Sequence, residues 1–176
     1  MAEPAQSPFR AFETERLSVA EWSPLLADPA TRRDLEAALE PLLTPRVLEH
    51  LPDPLALVPG PSAISDWIDD RAGEADVYAV RLKPQGALIG LLIAAVGDGH
   101  GALPQIHIGY LFAENAWGRG FATEMLIGLA PTRPARLFAG VARDNAGSMR
   151  VLEKAGFTLS DRHSTGDTAM FTRAVR

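Results

Sequence analysis

Hydrophobic and polar positions along the chain repeat with two different periods, and where each holds it predicts an element. Leu35 and Leu39 stand four apart within Ala30–Glu40, which predicts a short helix stopped by Pro41. Ser65–Ala72 puts Trp67, Ile68 and Arg71 on one side of a second helix, with Ser65 as its expected cap. Strands account for much of the remainder. Arg16–Trp22 reads as a first strand. Val77–Lys83 and Leu88–Val96 read as an antiparallel hairpin, because the β-rich runs are separated by the turn residues Pro84-Gln85-Gly86-Ala87. Gln105–Phe112 is the strand that follows, and its alternation sends Ile106, Ile108, Tyr110 and Phe112 to one face and Gln105, His107, Gly109 and Leu111 to the other. Beyond it the chain predicts a helix over Gly120–Ala130, a strand over Ala135–Ala142 and a helix over Ala146–Ala155. Strands near Phe157–Asp161 and Thr168–Val175 complete it. The expected fold is mixed α/β with a largely antiparallel sheet. Six of the fourteen prolines fall between Pro41 and Pro61, and this proline-rich segment separates the first helix from the strands.

Composition narrows the chemistry more than the fold. The 176 residues fit one domain, 47% of them apolar and 22% charged, and no apolar run is long enough to cross a bilayer. Met1–Arg10 holds two prolines and no apolar stretch of the signal-peptide kind, so a cytoplasmic protein with no membrane partner is expected. The chain has no cysteine, which excludes disulfides, thiolate metal sites and a thiol that carries an acyl group. His50, His100, His107 and His163 are too scattered to give two ligands on one helix face, so no metal is expected. A net charge of −5 offers no broad attraction for phosphate backbones, which disfavours nucleic acid, whereas a cationic amine is a natural partner.

The segment Trp117-Gly118-Arg119-Gly120-Phe121-Ala122-Thr123-Glu124 lies between a predicted strand and a predicted helix. Gly118 and Gly120 let the backbone approach a ligand closely, and the first N–H groups of the helix point out of its end along a favourable dipole. A phosphate fits there. Taken alone, two such glycines more often mark a plain turn capping a core helix.

Three motifs in order supply what the glycines alone do not. Thr14-Glu15-Arg16-Leu17, then Ile108-Gly109-Tyr110 with Trp117–Glu124, then Asn145–Phe157 with Asn145, Ser148, Leu152, Lys154 and Gly156, resemble the RimJ/RimL-like branch of the GNAT superfamily of N-acetyltransferases. Glu114-Asn115 and Leu111 depart from that branch, which often has Pro-Glu and a tryptophan there; Ala20–Asp76 matches nothing in it. The resemblance implies a single domain over 1–176, with an acetyl-CoA-binding core over 105–157 and 41–63 on the substrate side. It implies a sheet of about six to seven strands in which two central strands, Gln105–Phe112 and Ala135–Ala142, splay into a V. Acetyl-CoA is the implied cofactor, donating its acetyl group to an amine of a protein or a small molecule, and a homodimer is allowed. By the same resemblance Leu111, Phe112 and Ala113 meet the pantetheine through their backbone. Trp117, Gly118, Arg119, Gly120, Phe121, Ala122 and Thr123 form the pyrophosphate loop, and Asn145 contacts the cofactor arm. Arg119 would add a charge-assisted contact or stay solvated, and Asn145 also suits an N-cap, with Gly156 as the residue past the helix end.

Acetyl transfer to an amine requires a base, an oxyanion donor and an acid. A backbone N–H near Tyr110–Phe112 can be the donor. His107, off the apolar face, is a candidate base, because an imidazole titrates near neutral pH; a strand histidine held by hydrogen bonds is the alternative. Glu114 competes as base or is merely solvated, and Ser148 is the candidate acid or a support for the first turn of its helix. Many enzymes of the superfamily use a tyrosine as acid, but Tyr78 and Tyr110 both lie outside the Asn145 helix. The acidic run Asp66, Asp69, Asp70, Glu74 and Asp76 suits a polyamine or aminoglycoside-like acceptor, or is a solvated helix face. A module that binds an acyl-CoA without catalysis is the alternative function, and a structural or partner-binding α/β domain with a sealed core is a third.

Overall fold

The period-two segments assemble into one eight-stranded sheet in a computed structural model that describes residues 7–49, 51, 55–97 and 103–175. Across the sheet the strands run β1 (Phe12–Glu13), β2 (Leu17–Glu21), β3 (Asp76–Leu82), β4 (Ala87–Gly97), β5 (Gln105–Phe112), β6 (Ala135–Ala142), β8 (Thr168–Val175) and β7 (Thr158–Leu159). All neighbours are antiparallel except β5 and β6. The count exceeds the expected six to seven by β1, which is two residues long. Two residues cannot display an alternation, so β1 is silent in the sequence, whereas the strand expected near Phe157–Asp161 is present but spans only Thr158–Leu159.

Between β2 and β3 lie α1 (Ser23–Leu26), α2 (Pro29–Leu39), α3 (Pro45–Leu48) and α4 (Ala63–Glu74); α5 (Phe121–Gly128) follows β5 and α6 (Ala146–Lys154) follows β6. Asp28 starts α2 by accepting the N–H groups of Ala30 and Thr31, with Pro29 at the first helical position where its missing N–H costs nothing. Ser65 is not a cap. Helix α4 begins two residues earlier, with Ser62 at the cap position and no side-chain cap bond, and the Ser65 hydroxyl instead accepts from the Arg32 guanidinium at 2.9 Å. Trp67, Ile68 and Arg71 are its buried residues, as the spacing predicts.

Helices on the two faces of the sheet close two cores. On one face Ile106, Ile108 and Phe112 of β5 pack with Met125 and Leu126 of α5 and Leu152 of α6. On the other, Leu91, Ile93 and Leu111 pack with Leu35, Leu39, Trp67 and Ile68. Each such side chain, once buried, contributes about 1.5–3 kcal/mol. The proline-rich segment joins the second core through Leu42, Leu43 and Val47. His50, His100 and residues 52–54 lie outside the described residues. Among the described residues no helix is long and apolar enough to cross a membrane.

Candidate active site

Strands β5 and β6 pair only at Gln105↔Arg136, Ile106↔Leu137 and His107↔Phe138, although β5 runs on to Phe112 and β6 to Ala142. Past His107 and Phe138 each strand keeps only its outer partner, β4 or β8, and the two diverge. The result is a cavity of about 1060 Å³ lined by residues of both strands, of the glycine turn and of α6. The Ala113 N–H is donated to Ile89 of β4 at 2.9 Å, and strand backbone alternates, so Phe112 and Tyr110 turn their N–H groups toward the opposite edge, where β6 is missing. The Phe112 carbonyl is taken by the Trp117 indole N–H at 2.7 Å. That leaves the N–H groups of Tyr110 and Phe112 and the Tyr110 carbonyl along an unpaired edge, a template for an extended amide-bearing ligand.

At the mouth of the cleft Gly118 and Gly120 have φ of 71° and 79°, the left-handed region that side chains resist, so the turn needs glycine at both places. Gly120 is the N-cap position of α5 and has no side chain to cap it, which leaves the first N–H groups of the helix, those of Phe121, Ala122 and Thr123, for an anion. Gly118, Gly120, Phe121, Ala122 and Thr123 all line the cavity. The Arg119 guanidinium lies over the Phe121 ring at 4.8 Å. Arg150 and Lys154, one helical turn apart on α6, line the same cavity; the four-residue spacing of two cations is the sequence signal that could have found them.

His107 stands where the V begins, exposed, stacked on Phe138 at 5.3 Å with Phe138 edge-on to His163 at 5.2 Å. Glu114 is held elsewhere. Its carboxylate accepts from the Thr44 hydroxyl at 2.7 Å and pairs with Arg46 at 3.2 Å, and Arg46 in turn covers Trp117 at 5.3 Å. These contacts tie α3 to the end of β5, and no spacing in the sequence announces them. Asn145 caps α6 by accepting the Ser148 N–H at 3.0 Å, and its amide nitrogen remains as a donor beside the cleft. Gly156, with φ of 80°, ends that helix as expected. Tyr110 extends from the first-core face of β5 until its hydroxyl lies 3.5 Å from the Ser148 carbonyl, at the outer limit of a hydrogen bond. Burial raises its pKa, only partly offset by Ser148, so the phenol stays protonated across the neutral range. The strand alternation placed Tyr110 among apolar residues; a lone phenol in such a row was the signal that it reaches a partner. Ser148, Asn145, His107 and Tyr110 therefore share one cleft, and Glu114 is not among its lining residues but pairs with Arg46, which is. No group of three or more His, Cys, Asp or Glu among the described residues could hold a metal.

A family model described as an acetyltransferase (GNAT) domain matches residues 25–158, well over half of the chain. No curated protein matches significantly. Among solved structures, an acetyltransferase from Agrobacterium tumefaciens str. C58 is 23% identical with a TM-score of 0.61, over 98% of this chain and 99% of that one. A probable GNAT-family acetyltransferase from Chromobacterium violaceum ATCC 12472 is 18% identical with a TM-score of 0.67, over 99% and 90%. AAC(6')-Ib, an aminoglycoside acetyltransferase solved with ribostamycin and coenzyme A, is 17% identical with a TM-score of 0.65, over 91% and 94%. These likenesses show the fold. With the splayed strands, the glycine turn and the family match all on one stretch of chain, this protein belongs to the GNAT acetyltransferase family.

Proposed function

We propose that the protein transfers the acetyl group of acetyl-CoA directly to a primary amine within a ternary complex, and that it belongs to the RimJ/RimL-like branch. The observation that carries this reading is the unpaired inner edge of β5 leading into a glycine turn whose helix N–H groups are free for an anion. Leu111, Phe112 and Ala113 form the strand end along which the pantetheine lies, with Phe112 supplying the free amide. Gly118–Thr123 hold the pyrophosphate, with Arg119, Arg150 and Lys154 as flanking cations. Trp117 walls the turn and Asn145 donates its side-chain amide to the arm.

Acetyl-CoA supplies an activated thioester. For the residues, His107 takes a proton from the incoming ammonium, so that a neutral nitrogen can attack. The Tyr110 N–H, which the pantetheine leaves free, stabilises the oxyanion. As the carbon–sulfur bond breaks, the Tyr110 hydroxyl gives its proton to the thiolate, with Ser148 as the alternative donor. We assign the base to His107 rather than Glu114, whose carboxylate is committed to Thr44 and Arg46. An aminoglycoside-like acceptor draws no support from the acidic run. Asp69 pairs with Arg32 and Glu74 with Arg71, and none of the five acidic residues lines the cleft.

Calorimetry with a panel of CoA thioesters, followed by thiol release with a panel of peptide and small amines, tests the reading. Tight binding with amine-dependent release is expected. Binding without release for any amine would instead indicate a non-catalytic acyl-CoA module, and no CoA binding would remove both.

A further inference from the structure

Thr14-Glu15-Arg16-Leu17 has no task in the reaction outlined above, yet two of its residues converge on one place. Leu17 is fully buried and anchors β2 in the core. Thr14 and Arg16 reach Glu124 in the first turn of α5. The Thr14 hydroxyl and the Arg16 backbone N–H donate to Oε1 of Glu124 at 2.5 and 2.9 Å. Nε and Nη2 of Arg16 grip Oε2 at 2.7 and 2.6 Å. This is the forked geometry only a guanidinium offers, and it leaves Nη1 to donate to the Arg119 carbonyl at 3.1 Å.

That last bond bears on the anion site. The Arg119 carbonyl and the Gly120 N–H belong to one planar trans peptide and point in opposite directions. With the carbonyl drawn toward Arg16, the Gly120 N–H faces away from β2, and Gly120 lines the cleft. Glu124 neutralises Arg16, so Arg16 acts as a brace, and Arg119 beside it supplies the local positive charge. Arg16 also lies over the Phe121 ring at 4.5 Å, against the same ring as Arg119.

We propose that Arg16, locked by Thr14 and Glu124, is a positioning residue that sets the Arg119–Gly120 peptide so that the Gly120 N–H is aimed at the CoA pyrophosphate. This rests on the acetyl-CoA reading. A simple staple between β2 and α5 would hold the fold but would not discriminate between ligands with and without a pyrophosphate. The test compares Arg16→Lys with the unaltered protein, titrating each with CoA and with pantetheine, which has the same arm and no pyrophosphate. Lysine keeps the charge opposite Glu124 but cannot fork to a second acceptor. The Kd for CoA should rise roughly tenfold, the loss of one bond to a charged ligand, while the Kd for pantetheine holds. The downfield shift of the Gly120 amide proton on adding CoA should shrink in parallel. Thr14→Val, which removes one of the bonds on Glu124 and keeps Arg16, should give a smaller loss of the same selectivity. Equal weakening toward both ligands, or an unchanged Kd for CoA, overturns the brace. Failure of the unaltered protein to bind CoA overturns the donor assignment and the brace with it.

Discussion

The two faces of β5 are built on different principles. On the face toward α5 and α6, the ligand-facing features are set by backbone: two left-handed glycines, an uncapped helix start and an unpaired strand edge. On the face toward α2 and α4, the wall is made by aliphatic and indole side chains that fill space, with Trp22 edge-on to Trp67 at 6.2 Å. A backbone requirement admits few residue types, whereas a packing requirement admits many of similar volume. In the proposed function the first face would bind one constant ligand by a fixed motif, and the second would be free to vary with the acceptor.

The largest expected effect lies on the packed face. Trp67→Ala removes a buried indole and its bond to the Leu55 carbonyl at 2.9 Å, and should cost about 3–5 kcal/mol of stability in denaturant titration. CoA affinity, measured at a temperature where the variant is folded, should hold. A loss of CoA affinity in step with stability would mean that the two faces are not separable.

Next comes the group at the point of the V. His107→Ala leaves both cores intact, because the imidazole is exposed and stacked only on Phe138. With a responsive amine, kcat should drop about a hundredfold with the Kd for CoA unchanged. Unchanged turnover would move the base elsewhere. Gly120→Val is the converse of the tryptophan variant. An added Cβ meets only the Arg16 Nη2 at 3.6 Å, so the strain comes from the φ of 79°. Stability should fall by about 1–2 kcal/mol. The Kd for CoA should rise roughly thirtyfold as the turn abandons its geometry.

The same contrast explains what could be read in the sequence. Gln105–Phe112, Ala135–Ala142 and Thr168–Val175 are strands with the expected bounds, because buried strands carry their period openly. The glycine turn was legible because left-handed backbone calls for glycine. Three features were not. The α1 and α3 helices are four residues each, too short for a period of 3.6 to show. The bonds from Thr44 and Arg46 to Glu114 span some seventy residues of sequence and follow only from the packing of α3. The Tyr110 hydroxyl reaches Ser148 across the cleft, a meeting fixed by how far β5 and β6 diverge and not by either segment alone.

The smallest effects separate the two regions by the sign of their electrostatics. Burial alone would raise the Glu124 pKa, but hydrogen bonds from the Thr14 hydroxyl, the Arg16 N–H and its guanidinium, with the guanidinium charge, more than offset it and hold the carboxyl below its ordinary range. Folding therefore favours ionised Glu124. That contribution is fully present above the unfolded-state pKa and is lost as pH falls through the folded one. Asp76, at the start of β3, is the reverse. Burial, helped by the charge of Glu21, raises its pKa against a smaller opposing effect of the Ser7 hydroxyl. Its ionisation penalises the fold, an effect absent in acid that grows as pH rises from the unfolded-state pKa through the folded one. At pH 7, Glu124→Gln should lower the melting temperature and Asp76→Asn should raise it. Each contribution is on the order of 1 kcal/mol, or about 2–4 °C for a chain of this size. Both differences should shrink in acid, below the carboxylate range. A rise in melting temperature for Glu124→Gln at pH 7 would mean that the bonds around Glu124 do not outweigh its burial. The brace on the glycine turn would then be held by shape alone, and CoA affinity should lose no strength as pH falls toward the folded-state pKa of Glu124.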